Sequence, residues 1–493
     1  MEYSMPVSES QNLPIQLARN FSFIIQSWTA FASALPLSLT SGGPTSIIWG
    51  LLSSTICTLC IAYSLAEFLS AYPTAAGQYH WVAVSWETPK LFLSWLTGWF
   101  NVAAWICLTA TASLFGSQLV MNVVVLVHPS FNVQRWQLFL VYISSITLAF
   151  LVNAFWNSVL AALNKIALLL SICGFLLILV VALACATPDY NSASFVFTDF
   201  INKSGWNDGV AWLLGLLQGS LCLIGFHGTK EIPNPSVQGP RVMVACVAIG
   251  AFTSFVLVTA LLFVARDINT VISSAYGPLL QILLDATQSK AGAICLLIFP
   301  IVCLVLGVTG IMTTSSRMIY ALGRDNGLPL SPTWTKVHTS LQTPLNALGL
   351  SWILAVCLGC IYLGSMTAFN GVSSATVICF DLSYLFPILI HCLRGRAQLP
   401  SRAYVLSPIV GWSVNIVAII YILLTTVFFI LPPNLPVTGE NMNYAIAVVG
   451  VLVVFSTIYW FLRGRKKFVL ASASSSTVHA HSEDMALSVP VEK

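Results

Sequence analysis

Glu67, Lys165, His227 and Asp381 are ionisable side chains within otherwise apolar stretches of the chain. A charge in such surroundings is costly, so each is a candidate for carrying a proton, pairing with a charged ligand or controlling a gate. Glu67, in Ala66-Glu67-Phe68-Leu69-Ser70, either serves in coupling or gating or anchors its segment to a nearby base. Asp381 either pairs with an amine, carries a proton, or is a hydrogen-bonded acid kept neutral by desolvation. Lys165 couples, or snorkels to an interface. His227 titrates near neutral pH or remains a neutral side chain. The run Thr313-Thr314-Ser315 offers hydroxyls that ligate an ion or hydronium, or that satisfy helix carbonyls.

Two stretches suit recognition of a small polar molecule by an interrupted helix. Leu223-Ile224-Gly225-Phe226-His227-Gly228-Thr229 holds two glycines three apart with a polar residue between them. Ser27-Trp28-Thr29-Ala30-Phe31 opens a run that is small and polar at its middle and meets Pro36 beyond. Broken helices in a bilayer expose amides and carbonyls that replace water around a charged group; small polar residues are also ordinary packing contacts. The candidate ligand set is therefore Ser27, Trp28, Thr29, Ala30, Phe31, Gly225, Phe226, His227 and Gly228.

Enzyme motifs are missing from the sequence: it has no H-E-x-x-H, no G-x-x-x-x-G-K-[ST] and no G-x-S-x-G. Cys57 and Cys60 form a C-x-x-C without a second pair, for which apolar packing is the simpler reading. No catalytic residue, metal or cofactor is expected, and no nucleotide-binding domain is present to drive a pump.

The elements that position these residues must be membrane helices. Of 493 residues, 57% are hydrophobic and 7% charged, and the mean hydropathy is +0.87. A soluble protein carries about 25% charged residues, so a soluble enzyme, a nucleic-acid binder and a disordered scaffold are excluded. A spanning helix needs ~20 apolar residues. Twelve such stretches are readable: 21–40, 46–71, 92–127, 136–154, 160–186, 209–228, 242–265, 291–315, 345–363, 366–392, 407–431 and 444–462. The third is too long for one perpendicular crossing and is expected to tilt or project. The expected organisation is a tail over 1–20, a single transporter domain over 21–462 and a disordered tail over 463–493. The partners are the bilayer and a small-molecule solute.

Of the 20 Lys and Arg, only Arg135, Lys203, Arg266 and Lys290 fall on one side of this topology. The positive-inside rule then makes both termini cytoplasmic. The sequon Asn202-Lys203-Ser204 falls on the outer side, a candidate glycosylation site at Asn202. The polar first twenty residues do not read as a cleavable signal peptide, so the first span is expected to act as the insertion signal.

Ordered motifs carry a resemblance. Ser41-Gly42-Gly43-Pro44-Thr45 follows the first span, and Ala66-Glu67-Phe68 with Tyr72-Pro73-Thr74-Ala75-Ala76-Gly77-Gln78-Tyr79-His80-Trp81 closes the second. Leu96-Thr97-Gly98-Trp99-Phe100-Asn101 opens the third; Ser315-Ser316-Arg317-Met318 leads to Gly323-Arg324-Asp325-Asn326-Gly327-Leu328-Pro329 after the eighth. Over about residues 19–467 the chain resembles the amino acid–polyamine–organocation superfamily, in its fungal amino acid/choline transporter branch. The resemblance implies an all-α, leucine-transporter-like fold, with two inverted repeats of five helices (21–186 and 209–392) and two further helices. It implies proton-driven uptake of a γ-aminobutyric acid- or choline-like solute at the plasma membrane, with helix breaks near Ser27–Phe31 and Gly225–Gly228. Amides there would suit a carboxylate, and Trp28, Phe31 and Phe226 an amine. Two departures stand out: the segment between Phe226 and Glu231 is about one turn shorter than in relatives, and Asp381 replaces an uncharged residue. A non-transporting nutrient sensor of the same fold is the competing reading; no pore-charge pattern supports a channel.

Overall fold

The computed structural model describes residues 27–470 except 75, 87–90, 228–233, 398 and 440. The chain begins with two short helices, α1 (Ser27–Ser33) and α2 (Pro36–Leu39), then a two-residue strand β1 (Ser41–Gly42) and the long α3 (Gly43–Ala71). A short α4 (Gln78–Val84) leads to α5 (Leu91–Val127), α6 (Arg135–Phe155) and α7 (Leu160–Ala186). Strand β2 (Ile201–Asn202) precedes α8 (Asp208–Leu223), α9 (Pro235–Val264), α10 (Pro278–Thr287) and α11 (Lys290–Arg324). The chain closes with α12 (Leu345–Gly364), α13 (Met366–Leu393), α14 (Pro408–Phe428) and α15 (Ala445–Tyr459).

Among the described residues, ten helices are long and apolar enough to cross a membrane. They occupy ten of the twelve expected stretches. The first and sixth stretches are the two exceptions, each helical only in part. In the first, Ser27–Phe31 is regular helix rather than the expected break; the interruption falls at Ala34–Leu35, because Pro36 has no N–H with which to continue the ladder. In the sixth, helix stops at Leu223 and not at Gly228. The 37-residue α5 is roughly 55 Å long at 1.5 Å per residue, well beyond a ~30 Å hydrocarbon core. The helices α4 and α10 are too short to show up in a search for spans.

Glycine sets the start of α3. Gly42 has φ +109°, and a Cβ there would come within 1.9 Å of Ser46 Oγ. The strand pair Ser41–Gly42 with Asn202–Ile201 ties this turn to the loop before α8. Along α8, Gly215 and Gly219 sit against Ser46 and Ser54 of α3, so the two backbones approach closely; small residues allow this where lipid supplies no hydrophobic drive.

The loops gather at two ends. At one, Lys203 Nζ donates to Asn269 Oδ1 (2.7 Å), and Leu435 N–H donates to the Ser204 carbonyl (2.7 Å). At the other, Glu67 is fully buried and accepts from Arg396 Nη2 (2.5 Å), Arg402 Nη2 (2.8 Å) and the Leu406 amide (3.0 Å). This cluster pins the segment after α13 to the end of α3. The expected tail also begins later than Arg463: Phe468 is buried against Tyr79, Trp95 and Trp460, and Val469 N–H donates to the Asp325 carbonyl (3.2 Å). Residues 1–26 and 471–493, with the first-span start and the Ser-rich tail, lie outside the described residues.

Removing one partner of a buried ion pair costs about 3–5 kcal/mol because the other charge stays desolvated. Glu67→Ala strands two guanidiniums, so the thermal midpoint of the purified protein should fall sharply, with Glu67→Gln between. An unchanged midpoint in both variants would show that the cluster does not clamp the bundle.

Candidate functional site

A cavity of about 110 Å³ lies where α1, α5, α8, α9 and α11 meet. Ser27, Thr29 and Ala30 line it from α1, Thr111 and Phe115 from α5, and Leu221–Phe226 from the end of α8. The α8 break follows from its backbone. Ile224 is extended (φ −84°, ψ 171°) and Gly225 has φ +81°, a conformation that favours glycine. Ending a helix here leaves carbonyls of its last turn without intrahelical partners. They carry the negative end of the helix dipole and belong to residues lining the cavity.

Five of the nine expected ligand residues thus line one cavity: Ser27, Thr29, Ala30, Gly225 and Phe226. Trp28 and Phe31 do not. Both side chains are instead buried in apolar packing. Trp28 Nε1 donates to Ser171 Oγ on α7 (2.9 Å), and the Phe31 carbonyl accepts from Gln218 Nε2 (2.8 Å). An aromatic contact to a ligand is therefore available from Phe226 and from Phe115, which the sequence reading did not select.

His227 also lies outside the cavity wall. It is buried between Trp105, Phe380 and Tyr384, with ring centroids 5.3–5.5 Å away. Its Nδ1 is 2.8 Å from the Tyr384 hydroxyl. Asn101 Nδ2 lies 3.5 Å from its Nε2 and donates to Gln78 Oε1 (2.7 Å). Gln78 Nε2, Asn101 Oδ1 and Trp105 Nε1 are buried without partners among the described residues. Gln78 and Asn101 were visible in the sequence only as members of the motifs. Gly228 and the shortened segment up to Glu231 lie outside the described residues.

Next to Gln78, the Tyr79 hydroxyl donates to Asp325 Oδ2 (2.9 Å). Burial, and then the neighbouring Asp325 charge, push the Tyr79 phenol well above its ordinary value. Burial likewise holds the His80 imidazole below its usual range. On the other side, Phe115 lines both the central cavity and a wider cavity of about 340 Å³, walled in part by Pro36, Asn122 and Pro278.

The coupling candidates are scattered. Glu67 is held in the two-arginine cluster. Lys165 is exposed. Thr313 Oγ1 reaches Asn153 Oδ1 (2.5 Å) and the Thr309 carbonyl (2.8 Å), Thr314 Oγ1 reaches the Gly310 carbonyl (3.2 Å), and Ser315 Oγ accepts from Ser351 (2.8 Å). These hydroxyls serve helix carbonyls and helix–helix contacts. Asp381 is buried on α13, accepts from Thr425 Oγ1 (2.8 Å), and does not line the cavity. Asn202 Nδ2, the atom a glycan would occupy, donates to the Trp206 carbonyl (2.7 Å) and to Asp208 Oδ1 (3.0 Å).

Comparisons with known proteins agree with this architecture. Residues 17–453 match the family described as Amino acid permease. A choline transporter of Saccharomyces cerevisiae is 32% identical, covering 90% of this chain and 80% of its own. A swainsonine transporter of Arthroderma benhamiae is 30% identical, with 88% and 87% covered. The amino-acid permease BAT1 of Arabidopsis thaliana is 26% identical, with 94% of each chain covered. The chain is a multi-pass membrane protein that belongs to the amino acid permease family of the amino acid–polyamine–organocation superfamily, in its fungal amino acid/choline transporter branch.

Proposed function

We propose that the protein is a secondary active transporter that takes up a small amino acid or amine across the plasma membrane, driven by protons. The observation that carries this reading is the cavity built from the two interrupted stretches. Its 110 Å³, at ~10–15 Å³ per water-sized sphere, suits a solute of under about ten non-hydrogen atoms. Carbonyls that the end of α8 leaves without intrahelical partners, and the rings of Phe115 and Phe226, favour a cationic amine, quaternary ones included; a ring face adds about 0.5–2 kcal/mol. The described lining residues include no Asp, Glu, Lys or Arg, so the solute's charge is met by helix ends and rings. The relatives that transport choline and swainsonine support an amine, and the amino-acid permeases a carboxylate-bearing solute.

The same reading takes α1–α2 and α8 with the segment after it as two further crossings, making twelve. The inverted repeats then place the two breaks at the first helix of each five. With both termini cytoplasmic, the Glu67 and Asp325 clusters face the cytoplasm and the wider cavity faces outside.

Uptake of labelled choline and labelled γ-aminobutyric acid in a permease-deleted host, at acidic and neutral external pH and with an uncoupler, tests the function. Uncoupler-sensitive uptake favoured at acidic pH is expected. Surface-expressed protein that binds a solute without moving it would identify a sensor instead.

Side-chain facing gives a sharper test of the site. Ala30→Leu projects into the cavity and should raise KM tenfold or more, equivalent to about 1.4 kcal/mol. Trp28→Phe loses only the bond to Ser171 and should leave KM little changed. The reverse order would place the solute elsewhere.

A further inference from the structure

Asp381 remains after the other ionisable candidates are accounted for. Its carboxyl is buried in α13 near the centre of the bundle, and its hydrogen-bond partner is a neutral hydroxyl, Thr425 Oγ1 of α14 at 2.8 Å. The titratable groups facing this region are Tyr384 on its own helix, Tyr421 on α14 and Cys57 on α3, with His227 beyond Tyr384. Among the described residues no Lys, Arg or second carboxylate pairs with it. An acid that bound the solute's amine would line the cavity, and Asp381 does not.

Thr425 makes the site two-state. Its hydroxyl has one hydrogen but lies within bonding distance of three acceptors: Asp381 Oδ2 (2.8 Å), the Tyr421 carbonyl (2.9 Å) and the Ile422 carbonyl (3.1 Å). When Asp381 is ionised, that hydrogen must serve the carboxylate. When Asp381 is protonated, its own O–H donates to Thr425 Oγ1, and the threonine hydrogen turns back to its helix carbonyl. In both arrangements the Asp381–Thr425 hydrogen bond is kept and the threonine hydrogen has an acceptor, so a proton can enter or leave without breaking that contact.

The surroundings place this site between a cavity at one end and the broken helix. Toward one end, Ser374 lies two turns earlier on α13, roughly 10 Å along the axis, and lines a cavity of about 280 Å³ with Asn370, Asn443 and Phe429. Phe429 is one turn from Thr425 on α14, its amide donating to the Thr425 carbonyl (2.9 Å). Toward the other end, Tyr384 is one turn later and holds His227, just past the α8 break. Tyr421 OH meets Ser220 Oγ of α8 at 2.6 Å, one turn before that break.

We propose that Asp381, exchanging a single proton with Thr425 as its switching partner, is the proton-binding group that couples transport to the proton gradient. The inference rests on the transporter reading above but concerns a residue outside the solute cavity. A proton from the outer solution adds to the carboxylate to give the neutral acid, and leaves on the opposite side to restore it. The tyrosines at 384 and 421 place that change beside the two residues flanking the break in α8. Thr425 is a positioning residue.

Two measurements on the full-length protein in lipid vesicles test it. Infrared difference spectra across a pH titration should show a protonated carboxylic-acid carbonyl band that is lost in Asp381→Asn and shifted in Thr425→Val. A band unchanged in Asp381→Asn, or no titratable band in the unaltered protein, overturns the proposal whether or not a solute is known. For labelled choline and γ-aminobutyric acid, Asp381→Asn should retain exchange of solute for solute and lose at least tenfold in pH-driven accumulation, with a flat pH profile. Asp381→Glu should restore part of the pH dependence. Accumulation by Asp381→Asn with the original pH profile also overturns it. No solute movement in the unaltered protein, with the infrared band intact, would instead count against the transporter reading.

Discussion

An interrupted helix inside a bilayer must leave backbone groups unpaired, and much of this structure follows from where that happens. α8 stops at Leu223, Ile224 is extended and Gly225 takes a positive φ. In hydrocarbon each such carbonyl costs several kcal/mol unless something replaces water. The bundle responds by surrounding the break with protein on every side. α1 and α5 bring small and hydroxyl side chains to it, Phe226 turns back over it, and Tyr384 fixes His227 immediately beyond. What would be a defect in a simple membrane anchor is here one wall of a cavity. The glycine contacts of α8 with α3 hold the helix close to its neighbour up to that point, so the break is sharp rather than frayed.

Much of this was legible in the sequence because it depends on local pattern. Long apolar runs mark ten helices, most bounds within a few residues, though two helices begin or end seven to nine residues beyond the run, and α8 stops five residues before the expected Gly228. The facing of α1 was not legible in the same way. Trp28 and Phe31 were selected for their chemistry and their nearness to a suspected break, but both rings are buried in apolar packing, with the Trp28 indole on Ser171 of α7, while Ser27, Thr29 and Ala30 take the cavity. The same limitation explains Glu67. Its partners are 329 and 335 residues away, and no local pattern joins them. The grouping of Gln78, Asn101 and Trp105 was hidden for the same reason: α4, which supplies Gln78, is only seven residues long.

The buried polar groups divide into two kinds. Glu67 with Arg396 and Arg402 is a pinned cluster, charged on both sides and satisfied in one arrangement. Asp381 with Thr425 keeps its hydrogen bond in two. Hydroxyls such as Thr313 and Ser315 are of the first kind, spent on carbonyls and on neighbouring helices. A membrane bundle thus has room for many buried polar residues whose work is structural and few that are free to change state, and counting partners tells the two apart where residue type does not.

The seating of Phe468 bears on how the molecule is made. Its ring completes an aromatic wall with Tyr79, Trp95 and Trp460, and Trp95 Nε1 donates to the Ser456 carbonyl across 361 residues of sequence. The early helices reach the membrane long before those partners leave the ribosome. Until synthesis ends, Trp95 has no lid and its indole N–H has no acceptor from the last helix. This end of the bundle is therefore finished last, by the last of the described residues to be translated. A chain cut short before Phe468 would enter the membrane with every long helix present, yet with a gap in that wall for quality control to recognise.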